Sequence, residues 1–441
     1  MHPYEFASAI KNRSLDLIFN RIELVTCGSQ KVLFTGVGRA FVNDLGTLLC
    51  RFEANGDQSP FKSDYKMAAP GTLHSEDDFF VVRATEPTGD VWESKPTPRL
   101  PLGPFPFDAI RRIIPMRSLT RLKSDDDNCP DYAQLYFAHS MKLPLDRPTE
   151  RVEIRGGITR PMGMSHDHHI RAIGGLHFEA NLLPDGTSSI ALQGNPRLAS
   201  RAVDATEAAL EFMVATDAIP CVTAMKLGER RTLTLRSGML PRKTVHFGPP
   251  VPNGLTDASN WWSLFEHAFA FYERDSSISQ TIRAYVRDTR SADHASSRVS
   301  CLALCTTIER LSETLEPKPV GEDLSSVEVD ELRALIMASS VYVRFQKRIS
   351  GSLSGLTRTQ AIRRLECWSA EHGVPVALVK AWPNLRHRYA HGGEIDDDQR
   401  LADLYFANLE LFYRMVAWNM KFSGKLMGYS TRGWPCIDVR N

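Results

Sequence analysis

The chain carries almost no net charge, no long apolar run and no paired-cysteine motif, and each absence removes a class of function. Lysine and arginine number 53 against 52 aspartates and glutamates, a formal charge of +1, which excludes a wholly basic nucleic-acid coat. No stretch approaches the roughly 18 apolar residues that a membrane-spanning helix needs. The opening MHPYEFASAIKNRSLDLIF has no basic head followed by an apolar core and a small-residue cleavage site, so the expected location is the cytoplasm. The eight cysteines are scattered, with no CxxC pair, and read as reduced thiols rather than a zinc knuckle or a thioredoxin-like centre. Cys301 and Cys305 lie four apart and stack on one helix face as small hydrophobes. Gly-x-Ser-x-Gly and Gly-x4-Gly-Lys-Ser/Thr are both missing, Gly36-Val37-Gly38-Arg39 lacks the third glycine of a dinucleotide loop, and Gly351-Ser352-Leu353-Ser354-Gly355 misplaces its serine. Serine esterase chemistry and ATP hydrolysis are therefore poor readings.

What is present is an ordinary globular composition, 42% apolar and 24% charged over 441 residues, enough for about two or three cores. Up to about residue 245, short alternating or β-branched runs such as KVLFTGVG, DDFFVVRAT, RVEIRGGI and RTLTLRS are separated by Gly, Pro, Asn and Asp, a strand pattern. Helical spacing is expected only near DAIRRIIPMRSL and ATEAALEFMVATD, and the Pro-rich Glu86 to Phe107 reads as a long loop because proline fixes the backbone and removes donors. Phe247 to Ser259, with three prolines and two glycines, is the best linker. Beyond it the apolar spacing predicts helices at about 260–274, 277–289, 294–316, 326–349, 358–372, 375–391 and 396–423. Within them, Trp261-Trp262 and Phe269-Phe271-Tyr272 read as core or dimer contact. The expected fold class is α+β: a β-rich N-terminal domain over 1–250, sensory or regulatory, followed by an all-α bundle over 259–441.

The most informative passage is WPNLRHRYAHGG, Trp382 to Gly393. Arg386 and His391 form Arg-x4-His, with His387 directly after the arginine, two glycines after the second histidine, and an acidic helix start at Asp396-Asp397-Asp398. At this composition a chance Arg-x4-His is expected about once, so the spacing takes its weight from that context. A purely structural helix end would also place cations at the C terminus and a glycine cap after them. That explains Arg388 better than it explains two histidines clustered with Arg386. Tyr389 reads as packing.

These features resemble the HEPN superfamily (higher eukaryote and prokaryote nucleotide-binding domains). Its hallmark is an arginine, a polar residue, three further residues and a histidine near the end of a helical bundle. The resemblance covers roughly Ser259 to the C terminus and includes an early helix, SSRVSCLALCTTIERLSETL, whose Glu309 would match an acidic residue that some members place near the site. A β-rich half joined to such a domain is similar to ApeA-type anti-phage proteins. The resemblance implies an HEPN-like nuclease domain that cuts RNA, without a cofactor or metal, at a homodimer interface, in antiviral defence, with a phage-derived trigger acting on the N-terminal half.

The residues suit that chemistry. RNA cleavage without metal needs a base for the 2′-hydroxyl proton, an acid for the departing 5′-oxygen and a cation on the phosphate. Imidazole and guanidinium supply these, so His391 is assigned acid/base work, Arg386 phosphate stabilisation, and His387 a helper role. Residues 386 and 391 point about 140° apart on an ideal helix, so pairing across a two-fold axis is the expected way for them to meet.

Three further readings remain. Between Val341 and Arg364 there are six basic residues, Arg344, Lys347, Arg348, Arg358, Arg363 and Arg364, and no acidic one. They form either a phosphate clamp or a solvated helix face. Ser165-His166-Asp167-His168-His169 offers metal-capable side chains in a row, but two ligands on one face fall short of the three a zinc site needs, so a polar loop is expected. A noncatalytic alternative also stands, in which the helical half dimerises or binds nucleotide and the β half grips a phage or cellular ligand.

Overall fold

The computed structural model describes residues 1–54, 75–76, 79–98, 111–124, 130–155, 158–194, 199–214, 218–237, 248–252, 257–293, 296–316, 326–339, 343–353, 360–390 and 397–439. The chain forms two compact units. One comprises Met1–Leu210, Thr216–Arg242 and Asn253–Ala258, and the other Glu211–Ala215, Lys243–Pro252 and Ser259–Asn441.

The first unit is built on an antiparallel sheet. Its strands are β1 (Asp16–Thr26), β2 (Val32–Val42), β3 (Leu48–Ala54), β4 (Phe79–Thr85), β5 (Val91–Ser94), β6 (Thr97–Pro98), β7 (Arg111–Pro115) and β8 (Ser118–Ser124). They continue with β9 (Tyr132–Phe137), β10 (Arg147–Arg155), β11 (Ile158–Ile173), β12 (Leu176–Leu182), β13 (Ser188–Gln193), β14 (Val222–Leu227) and β15 (Arg230–Arg236). The order runs β10-β11-β12-β13-β9-β14-β15-β8-β5-β4-β1-β2-β3-β7, with β6 paired to β4. Helix α1 (Pro3–Lys11) starts from a capping box, His2 accepting from Tyr4 and Glu5 reaching back to the His2 N–H, which satisfies donors the first turn leaves open. Its buried Phe6 and Ile10 enter the core with Trp92, Leu119 and Val222. The Phe6 and Trp92 rings meet edge to face at 6.1 Å, and the Arg121 guanidinium lies over Trp92 at 5.1 Å while pairing with Asp90.

Gly36 and Gly38, read in the sequence as an incomplete nucleotide loop, lie inside β2 opposite β3. A Cβ at either position meets the backbone carbonyl of Glu53 or Arg51. Gly38→Ala is therefore expected to displace the β2–β3 pair and lower stability by about 1–3 kcal/mol, measurable by urea unfolding; an unchanged midpoint would show that the strands can separate at no cost.

Two sequence expectations for this half are corrected. DAIRRIIPMRSL is not a helix: Arg111–Pro115 is β7 and Ser118–Ser124 is β8, with Ile114 buried opposite Cys50. Paired isoleucines followed by proline suit a strand end better than a helix interior. The segment after Glu86 is not one loop, because β5 and β6 pair with β4 within it, and Trp92 is fully buried; 99–110 lie outside the described residues. Of ATEAALEFMVATD, residues 205–214 fall in α2 (Ala199–Val214) and 215–217 lie outside the described residues.

The second unit is helical, with α3 (Ala258–Glu273), α4 (Ser277–Asp293), α5 (Ser297–Leu311), α6 (Ser326–Ala338), α7 (Gln346–Leu353), α8 (Ala361–Glu371), α9 (Val376–Ala390) and α10 (Asp398–Asn419), closed by a hairpin of β16 (Gly424–Met427) and β17 (Cys436–Val439). The single helix expected over 326–349 is instead α6, ending at Ala338, a 3-10 turn at Val343–Phe345 and α7; 340–342 lie outside the described residues. Trp261, Trp262, Phe269, Phe271 and Tyr272 are all buried, as core aromatics should be. No helix among the described residues is long and apolar enough to cross a membrane.

Candidate functional site

WPNLRHRYAHGG begins inside a helix rather than after a break: α9 runs through Trp382-Pro383 to Ala390. Proline removes one backbone donor from the helix interior, and Trp382, 4% exposed, holds the neighbourhood by donating its indole N–H to the Cys305 carbonyl at 2.9 Å. Residues four apart on each helix face one another. Trp382 meets Cys305 on α5, and one turn along Arg386 meets Glu309.

The Arg386–Glu309 contact is a fork. Arg386 Nε donates to Glu309 Oε2 at 3.0 Å and Nη2 to Oε1 at 3.1 Å. The same guanidinium lies over the Trp382 ring at 5.5 Å. Both partners are open to solvent, with side chains 46% and 38% exposed, so the pair contributes at most about 1 kcal/mol of stability. Its effect is orientation, because ring and carboxylate together fix the plane of the guanidinium and leave Nη1 outside the fork. His387 and Arg388 are exposed on the adjoining surface, and Tyr389 is buried. His391 lies outside the described residues.

Behind this surface α5 presents Cys301 and Cys305, both buried. Burial pushes the Cys301 thiol up to about 12 and the Cys305 thiol higher still, so neither forms the thiolate that nucleophilic chemistry requires.

The basic strip is only partly described. Arg358 lies outside the described residues, and for Arg344 and Lys347 only the backbone, in the 3-10 turn and α7, is described. Arg348 is exposed, Arg363 pairs with Glu366 three residues on at 3.0 Å, and Arg364 is half-buried. Sequence counting missed the Glu366 partner because it falls just past the strip.

The histidine run is a strand, not a loop, lying within β11. Alternation sends its side chains to different carboxylates: His168 Nε2 sits 3.3 Å from Glu179, and His169 Nδ1 bonds Asp146 at 2.7 Å. Among the described residues no group of three or more His, Cys, Asp and Glu gathers to hold a metal. Burial lowers the His169 proton affinity from its ordinary 6.5, against the opposing pull of Asp146. Burial prevails because His169 is 5% exposed while the Asp146 side chain is half in water and screened. The unfolded chain then binds this proton more readily than the folded one, so the contribution is intact above the ordinary value and is lost as pH falls through it. A pH series of urea midpoints should decline below about pH 6.5, and His169→Gln should flatten that decline; an identical slope in the variant would clear His169 of the effect.

Comparison with family models, curated proteins and solved structures finds no match for this chain.

Proposed function

We propose that the chain is a metal-independent RNA endonuclease whose helical unit is an HEPN-like bundle, active as a homodimer in the cytoplasm in defence against phage. The observation that carries this reading is a solvent-open guanidinium, Arg386, held in a fixed plane by Glu309 and Trp382 beside His387 and five residues before His391. With Nε and one Nη2 hydrogen held by Glu309, the Nη1 hydrogens and the second Nη2 hydrogen lie on the opposite edge, which suits two parallel N–H bonds to phosphate oxygens. In the proposed reaction an imidazole takes the 2′-hydroxyl proton and the 2′-oxygen attacks phosphorus. The 5′-oxygen leaves with a proton from a second imidazole while Arg386 offsets charge on the phosphoryl oxygens. Atom balance then requires a 2′,3′-cyclic phosphate on one product and a 5′-hydroxyl on the other. His391 and its copy in a second subunit supply the two imidazoles, with His387 assisting. Arg348, Arg363, Arg364 and, from the sequence, Arg344 and Lys347 extend the basic surface for the strand.

The direct test is incubation of the purified chain with RNA in excess chelator and analysis of product ends. Cyclic-phosphate and 5′-hydroxyl termini are expected from the wild type and not from His391→Ala. RNA binding without products from either protein would reassign the helical unit to recognition, and cleavage lost in chelator would remove the metal-free mechanism.

A further inference from the structure

A pocket of about 320 Å³ opens in the helical unit, lined by Trp368 and His372 of the α8 end, Val374 just before α9, Arg414 and Trp418 of α10, and Asp438 of β17. That volume is at the lower end for small-molecule sites, which run from about 300 Å³. Three of the walls are aromatic: the His372 ring lies 5.9 Å from Trp368 and 5.9 Å from Trp418, and its Nε2 sits 3.4 Å from the Glu316 carbonyl. Arg386 lies ten residues past Val376, the first residue of α9 after the pocket, about 15 Å further along that helix, so the pocket is distinct from the Arg386 surface.

Its polar groups discriminate among ligands. Arg414 is largely buried and held by Glu410 at 3.0 Å, while Glu410 also accepts from the Ser430 N–H and hydroxyl; its charge is thereby balanced inside the protein, and its remaining N–H groups are donors. Trp368 is 1% exposed and backs the wall, while the half-buried His372 and Trp418 rings are the aromatic surface that a ligand reaches. Asp438 is exposed at the rim and is an acceptor only. A simple cation would use the aromatic walls and Asp438 but would be opposed by the charge of Arg414. A phosphate would suit Arg414 and be repelled by Asp438. A planar ring with acceptors on one edge and donors on another satisfies Arg414 and Asp438 together and stacks on Trp418 and His372. Among nucleobases guanine has that arrangement, with O6 and N7 as acceptors and an exocyclic amine as donor.

We propose that this pocket binds a guanine-type base, from a free nucleotide or from a nucleic-acid strand. It stands independently of the nuclease reading, because none of its residues belongs to the Arg386 surface. The test is isothermal titration of the full-length chain with GMP, AMP, CMP and UMP, and with a short RNA containing one guanine and its adenine-substituted counterpart. Saturable GMP binding that AMP does not match is expected. Trp418→Ala should weaken it about 5- to 100-fold by loss of one stacking wall, and Asp438→Asn, at an exposed position, should reduce the preference for GMP over AMP. Preference for the guanine-containing RNA over free GMP would make the strand the source; the reverse would make it a free nucleotide. No saturable binding of any probe, AMP binding as tightly as GMP, or unaltered GMP binding in both folded variants would overturn the assignment. RNA cleavage measured on the same variants separates this failure from failure of the nuclease reading.

Discussion

Replacing either His391 or Arg386 with alanine is expected to lower RNA cleavage by about 10²- to 10⁴-fold while leaving the fold intact. The size follows from their roles. Positioned proton transfer contributes about 10²–10⁴ in rate, and one preorganised donor to developing charge about 10²–10³. The fold should survive because Arg386 is exposed and its ion pair contributes little to stability. Arg386→Lys should recover only part of the loss, since an ammonium cannot reproduce the planar fork. Glu309→Gln should fall between, up to about 10²-fold down, because it disturbs only the orientation of the arginine. Cleavage rates under single-turnover conditions, with circular dichroism on each variant, check all four. Full activity in both alanine variants would remove α9 from the mechanism.

The second large effect is on stability. Glu211, 4% exposed, accepts from Arg283 Nε at 3.3 Å and from Arg287 Nε and Nη2 at 3.0 and 2.7 Å, and its backbone carbonyl accepts from Arg290 Nη1 at 2.6 Å. Three arginines of α4 thus converge on one residue. Glu211→Ala leaves Arg283 and Arg287 without their carboxylate, and breaking a buried pair costs about 3–5 kcal/mol. Arg283 and Arg287 are 22% and 52% exposed and regain some hydration, so about 2–3 kcal/mol is expected. For a unit of this size that corresponds to a fall of roughly 4–12 °C in the melting temperature of the helical half. Differential scanning calorimetry reads it, and Glu211→Gln, which keeps shape and one acceptor, should lose less. An unmoved transition in Glu211→Ala would mean that water replaces the carboxylate without cost.

The division of the chain into a strand-rich part and a helical part was legible because side-chain period is local: alternation over KVLFTGVG and four-residue spacing in the last helix need no partner to be seen. DAIRRIIPMRSL misled because two arginines before two isoleucines fit either period over so short a span. Burial of Ile114 beside Cys50 settled it, and that partner lies more than sixty residues away. The same limit applied to the histidine run, whose carboxylate partners come from other strands.

At the candidate site, the cluster of Arg386, His387 and His391 drew attention through its context, two glycines after it and an acidic helix start beyond, and the family resemblance added Glu309. The sequence by itself determined that a strand-rich part precedes a helical part and where imidazole and guanidinium groups cluster along the chain, since both are properties of neighbours in sequence. Only tertiary structure decided that Glu309 and Trp382 set the plane of Arg386, that three α4 arginines share Glu211, and that Trp368, Trp418 and Asp438 face one pocket. Those relations join residues up to 79 positions apart, and hydrogen-bond geometry and burial across such separations leave no periodic trace in the chain.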